Sequence, residues 1–338
     1  MRAARWLPIL LAASLIVACT TSPPDRRAQV DDLVRALRAM PGVVSARNTF
    51  SADPSRGPVF FEVDVDVADD VSDDQLTAIT STYLDDLRAQ DYSRYRAEFD
   101  VRPRDNRDNQ ADNQFVVAGS GRPVNNRDQI LAQARSWLAL RRQFVGSSVA
   151  LHAAVGHDDD PPGKPPVPAG SIGLPDSADY VAVGAAIDTL AARFADLAGG
   201  YWRVSAGTQH PAEIRTSRRL PTAQEMQLWT TLNAGQSIPH ADVFTINGTV
   251  TGPLFVSERI PSHDTDTAVR LAQQHLPIVA QLPPTVLYSA TDTYQGHIGF
   301  FGQATGPVTI LIGGCIKRDY KPAPAEQALI DQYETCRR

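Results

Sequence analysis

Val59-Phe60-Phe61-Glu62-Val63-Asp64-Val65-Asp66-Val67 decides the fold class of this chain. Phe61, Val63, Val65 and Val67 fall on one side of an extended chain, and Glu62, Asp64 and Asp66 on the other. One face asks for a core and the other for water. Five residues on, Ser72-Asp73-Asp74-Gln75 is a capping box, with Ser72 at the N-cap and Gln75 at N3. The helix behind it aligns Leu76, Ile79, Tyr83, Leu84 and Leu87. A strand with one apolar face followed by a helix with one apolar stripe predicts helices packed on a sheet.

Working outward, Val30, Leu33, Val34 and Leu37 mark a helix that Pro41-Gly42 stops, and Val43 to Phe50 reads as a strand. A loop around Pro54-Ser-Arg-Gly57 leads into the opening stretch. Tyr95 to Val101 alternates again. The polar run Arg102 to Asn113 reads as an exposed hairpin loop before Phe115-Val116-Val117-Ala118. The order is α-β-β-α-β-β.

That order recurs. Gln129 to Phe144 and Asp179 to Leu197 are helical, with strands at Ser148–Val155, Tyr201–Ser205 and Glu213–Thr216. A third copy has helices from Pro221 to Leu232 and from Asp266 to Ala280. Its strands are Asp242–Asn247, Leu254–Ile260, Val286–Ser289, Ile298–Phe301 and Val308–Ile312. Helix starts near residues 28, 127 and 221 are almost evenly spaced, which suggests a tandem repeat. The alternative is one N-terminal unit followed by a larger, non-repetitive domain over 127–338. The expected class is α+β, helices on largely antiparallel sheets, with modules over 28–120, 127–218 and 221–338. The topology of the first unit resembles the ferredoxin-like sandwich, a likeness that carries no function.

The first 20 residues speak to location. Met1-Arg2-Ala3-Ala4-Arg5 precedes a mostly apolar run from Trp6 to Val17, the pattern of an export signal. A membrane span needs about 20 apolar residues, and this run is shorter. The segment closes Leu15-Ile16-Val17-Ala18-Cys19, which resembles a bacterial lipobox. That resemblance implies a signal peptide over 1–18, cleaved before a diacylated Cys19, and a membrane-tethering linker over 19–27. Ser14 and Ala18 would equally suit an ordinary secretory cleavage. Two or three acyl chains anchor stably, whereas one binds only marginally. With Cys19 lipidated, Cys315 and Cys336 remain, and an exported chain with one cysteine pair is expected to form a disulfide. It would clip the helical pattern Ala325–Tyr333 to the strand before Gly313-Gly314.

Hydrophobic residues make up 43% and charged residues 21%, ordinary for a globular protein. The formal charge is −6 and becomes more negative once Arg2 and Arg5 are cleaved away. Lys164, Lys317 and Lys321 are the only lysines, and that arginine bias fits a GC-rich, actinobacterial source. A net acidic chain without basic runs has no electrostatic footprint for nucleic acid.

Catalytic signatures are missing. Neither Gly-x-Ser-x-Gly, nor His-Glu-x-x-His, nor a Walker loop occurs. Gly119-Ser-Gly121 reads as a turn. His157-Asp158-Asp159-Asp160 could ligate a cation, but its five-proline loop, Gly156 to Gly170, reads as solvated. Asp64, Asp66, Asp69, Asp70, Asp73 and Asp74 lack EF-hand spacing. His240 with Asp242, and His263 with Asp264, are the nearest acid/base pairs. His240 and Asp242 can share a face, yet Pro239 makes the start of a strand the simpler reading. Tyr294 to Gly302 sets glycines beside Phe300 and Phe301, as core packing or an apolar ligand surface. No cofactor, metal or catalytic residue is assigned. The expected partners are the membrane, through lipidated Cys19, and an envelope protein. A lipid or small-molecule ligand is the alternative, and an enzyme of unrecognised type the third reading.

Overall fold

Phe61, Val63, Val65 and Val67 all lie at 0% exposure, on the inner face of the strand β2 (Phe60–Val67). The computed structural model describes residues 23–53, 58–104, 113–161, 163, 165–248, 253–291 and 307–336. Cys19 and the lipobox lie outside these residues. So do the Pro54–Gly57 loop, most of the Arg102–Asn113 run, and the whole Tyr294–Gly302 stretch with the strand expected at Ile298–Phe301.

The first unit comprises α1 (Arg27–Arg38), β1 (Val43–Ser51), β2, α2 (Asp73–Ala89), β3 (Tyr92–Pro103) and β4 (Phe115–Gly121). The second comprises α3 (Arg127–Gln143), β5 (Ser148–His152), β6 (Ala169–Gly173), α4 (Tyr180–Arg193), β7 (Tyr201–Ser205) and β8 (Glu213–Ser217). In the third are α5 (Ala223–Ala234), β9 (Ala241–Ile246), β10 (Leu254–Arg259), α6 (Thr265–Val279), β11 (Val286–Thr291) and β12 (Val308–Ile312), followed by α7 (Pro324–Tyr333). The protein is α+β, and the order α-β-β-α-β-β runs three times.

Among the described residues twelve strands join one sheet in chain order. Within each hairpin the pairing is antiparallel, as in β1–β2 and β9–β10, and across each helix it is parallel, as in β2–β3 and β10–β11. Parallel neighbours require a crossover, and the helix supplies it. Repeating the same-handed crossover in one direction lays the helices side by side on one face, and α1–α2, α2–α3, α4–α5, α5–α6 and α6–α7 touch.

The ferredoxin-like likeness is not confirmed. A split β-α-β sandwich inserts a strand between the two that a helix joins, whereas here β2 and β3 pair directly. Nor are the units separate sandwiches. One hydrophobic cluster runs from Val30 to Ile330 between sheet and helices.

Two sequence expectations change. β6 was not among the expected strands, and its first two residues fell in the loop read over Gly156 to Gly170; Ala169-Gly-Ser-Ile-Gly173 carries little β-propensity. Its partner strand explains it: a Cβ on Gly170 would lie 2.4 Å from the Trp202 ring, so the indole of β7 fills the space over a glycine. The acidic face of β2 is also drier than alternation predicts. Asp64 is 7% exposed and its neighbour Asp100 on β3 is 2% exposed, because Arg47 and Arg102 lie over them. Among the described residues no helix is long and apolar enough to cross a membrane.

The end of the sheet is closed by side chains. Leu311 of β12 donates its N–H to Glu334 (3.0 Å), and Thr309 O accepts from Arg318 (2.6 Å). Arg318 and Glu334 form a two-point ion pair at 2.6 and 2.9 Å. An open strand edge invites pairing with other chains, and these charges block it. Cys315 and Cys336 are joined by a disulfide, with Cα atoms 4.9 Å apart, which ties the residues after α7 to the end of β12.

Candidate functional site

The inner face of the third unit carries a flaw in its apolar pattern. On β10, Leu254 and Val256 are in phase with Ile260 just beyond its end, and Glu258 occupies the position between the last two, at 0% exposure. On β9, Phe244 and Ile246 are in phase with Asp242, also at 0%. The register sets Asp242 directly opposite Glu258. Two carboxylates therefore face each other under the helices, where burying an ion costs several kcal/mol unless it is compensated.

Helix and strand then bring in the remaining groups. α6 starts at the N-cap Asp264 and turns Ala268, Leu271, Ala272, Leu276 and Val279 inward. His275 lies on that same buried face, and its Nδ1 meets Glu258 Oε1 at 2.6 Å. Tyr288, at 0% exposure on β11, donates its hydroxyl to Glu258 Oε2. His240 sits just before β9. Its backbone N–H bonds Gln236 Oε1 at 3.2 Å, and its Nδ1 donates to Ile238 O at 2.6 Å. That bond turns Nε2 toward Asp242 Oδ2, 3.6 Å away. The separation is an ion pair beyond hydrogen-bonding distance, and it leaves His240 Nε2 and both Asp242 oxygens without a hydrogen-bond partner. The two imidazole rings meet edge to face at 5.2 Å.

Burial separates the protonation of these groups. Burial and the facing Asp242 push the Glu258 carboxyl well above its ordinary range. Burial opposes charge on His240, but Asp242 outweighs it and raises the ring to about 9. Burial, with His240 nearby, pushes His275 down. The Tyr288 hydroxyl is raised by burial and by Glu258. Groups whose environments drive them apart in this way are characteristic of functional sites.

Above His240 lies a cleft of about 540 Å³. It opens where β8 and β9 begin and β10 ends, between the start of α4 and the end of α5. Tyr180, Pro211, Pro239, Ala241 and Ile260 give it a mainly apolar wall, and Asp179, Arg259 and Asn233 are among its polar groups. His240 is the lining residue that also reaches the buried cluster.

The structure thus joins His240 and Asp242, which the sequence left as the start of a strand, and adds Glu258, His275 and Tyr288, which it did not flag. The available signal was phase: an acidic residue at an inward position of two strands, and a histidine on an apolar helix stripe. His263 and Asp264 are not part of the cluster, and Asp264 serves as the N-cap of α6. His157 is 8% exposed rather than solvated, held by Pro123 O at 3.0 Å and Ser120 at 3.1 Å. The acidic run divides: Asp64 and Asp66 pair with arginines, while Asp73 lies in the first turn of α2 and pairs with Arg142. Asp74 sits in that same first turn.

Comparison with family models, curated proteins and solved structures gives no match. The site is therefore read from its own geometry.

Proposed function

We propose that this chain is a lipid-anchored cell-envelope protein that binds a small, largely apolar molecule in the cleft between its second and third units. The cleft carries the reading: its volume, apolar wall and few converging polar groups are those of a small-molecule site. Export and anchoring are supported by Arg2, Arg5, the short apolar run and Cys19. The membrane partner is reached through lipidated Cys19, on the extracytoplasmic side. No catalytic step is assigned to the site.

A second reading, contact with an envelope protein, has its own support. The sheet face away from the helices presents Tyr201, Arg203 and Arg215 to solvent, with Glu213 linking the two arginines. A charged, uncovered face suits a protein surface of opposite pattern.

Native mass spectrometry of the protein extracted from its own membranes tests the first reading. A bound organic molecule, lost in Ala241→Trp, supports it. Ligand-free protein, with a partner polypeptide held instead, favours the second. Cells fed labelled palmitate test the anchor: label on the wild type and none on Cys19→Ala is expected, and an unlabelled wild type overturns it.

A further inference from the structure

The buried cluster gathers two carboxylates and two imidazoles. Among the described residues no arginine or lysine pairs with Asp242 or Glu258, in contrast to Asp64 and Asp100, which have Arg102. Asp242 is fully buried with both oxygens unpartnered, and the Nε2 of His240 is unpartnered beside it. The large majority of buried polar atoms are hydrogen-bonded, and two open oxygens on one buried carboxylate beside an open ring nitrogen call for an explanation.

The geometry is that of a ligand set. One atom each from His240, Glu258 and His275 lies within 4.8 Å of the others. His240 Nε2 and Asp242 Oδ2, 3.6 Å apart, can share an ion about 2.1 Å from each. Metal-binding histidines donate their second ring N–H to a carbonyl or carboxylate, which fixes the tautomer. His240 does so to Ile238 O. Metal-binding carboxylates are themselves hydrogen-bonded, and Tyr288 supplies that bond to Glu258.

We propose that His240, Asp242, Glu258 and His275 bind one divalent transition-metal ion, zinc by ligand chemistry, beneath the floor of the cleft. Two imidazoles with two carboxylates suit zinc and its first-row neighbours, while calcium and magnesium prefer all-oxygen shells. The ion replaces the proton shared by His275 Nδ1 and Glu258 Oε1, and those two side chains separate to take it. Its charge neutralises the facing carboxylates. The ion needs no organic ligand, so this inference stands apart from occupancy of the cleft.

The test is a titration of the full chain in detergent, stripped with chelator, using zinc chloride by calorimetry and cobalt chloride by visible absorption. One saturable equivalent is expected, with cobalt colour that zinc displaces. Binding should be lost in His240→Gln and in the isosteric Asp242→Asn, each checked for folding by circular dichroism, and kept in His263→Gln. If the variants unfold, anomalous diffraction from zinc-soaked wild-type crystals decides, by placing the ion among the four side chains or elsewhere. Folded wild type without saturable binding of zinc or cobalt overturns the site, as does binding that survives both substitutions. A molecule that still co-purifies in the cleft would then leave the small-molecule reading intact. Metal binding with a cleft always empty would overturn that reading alone.

Discussion

Asp242 and Glu258 face each other across the β9–β10 ladder, both fully buried, in positions that the alternation of each strand reserves for apolar side chains. Replacing a buried ionic group by hydrophobic side chains of similar volume is often neutral or stabilising by about 1–4 kcal/mol. On that ground the pair is expected to add little to the stability of the fold or to cost it. Its place beneath a cleft, with two histidines and a tyrosine gathered round it, gives another reason for its presence.

The N-terminus of α5 should show the pH dependence of a depressed carboxyl. Glu225 closes a capping box with Thr222 and binds Arg219 through two 2.7 Å bonds. Burial opposes its ionisation, but Arg219 and Thr222 prevail and hold it below its ordinary value. A folded value below the unfolded one stabilises above the unfolded value, near pH 4.5, and the gain is lost as pH falls through the folded value. Glu225→Gln should lower the urea midpoint at pH 7, and the difference from the wild type should shrink as the pH is lowered below 4.5. Thr222→Ala should cost about 1 kcal/mol at neutral pH.

Closure of the β12 edge depends on Arg318 and Glu334, which pair with each other and bond the strand's backbone. The Arg318 side chain is 8% exposed and that of Glu334 is 0%. Arg318→Met strands a buried carboxylate and uncovers Thr309 O, which should cost about 3–5 kcal/mol in chemical denaturation. Light scattering should also rise, because the exposed edge can then recruit another chain.

The disulfide closes a loop between residues 21 apart in sequence. Cys315→Ser with Cys336→Ser should lower stability by about 3 kcal/mol, read from urea curves against the oxidised wild type. An unchanged midpoint would mean that non-covalent contacts, the Arg318–Glu334 pair and the bonds of Gly313 to Tyr333 and Thr335 to Gly314 among them, already hold the C-terminal segment.

Much of the architecture was legible because apolar periodicity is strong where one face is buried. β2 and α2 follow directly from Val59–Val67 and Ser72–Gln75, and the threefold element order follows from the helix stripes. β6 was not legible, since Gly170 derives its place from Trp202, which lies 32 residues further along the chain. Strand order was equally hidden: a list of helices and strands does not distinguish a split β-α-β sandwich from a sheet built in chain order. The site escaped for a related reason. His240 and Asp242 are close in sequence, but Glu258, His275 and Tyr288 join them only through sheet register and helix packing. The local traces were acidic residues in phase with apolar neighbours on β9 and β10, and a histidine on the apolar stripe of α6.

The central claim is that this buried cluster is retained for binding and not for stability. Equilibrium urea unfolding of Asp242→Leu/Glu258→Met, beside the wild type and in excess chelator, tests it most directly. We predict a double variant as stable as the wild type or more so, by up to about 4 kcal/mol, that no longer takes up zinc. A loss of several kcal/mol would contradict the claim and make the cluster a structural element of the third unit.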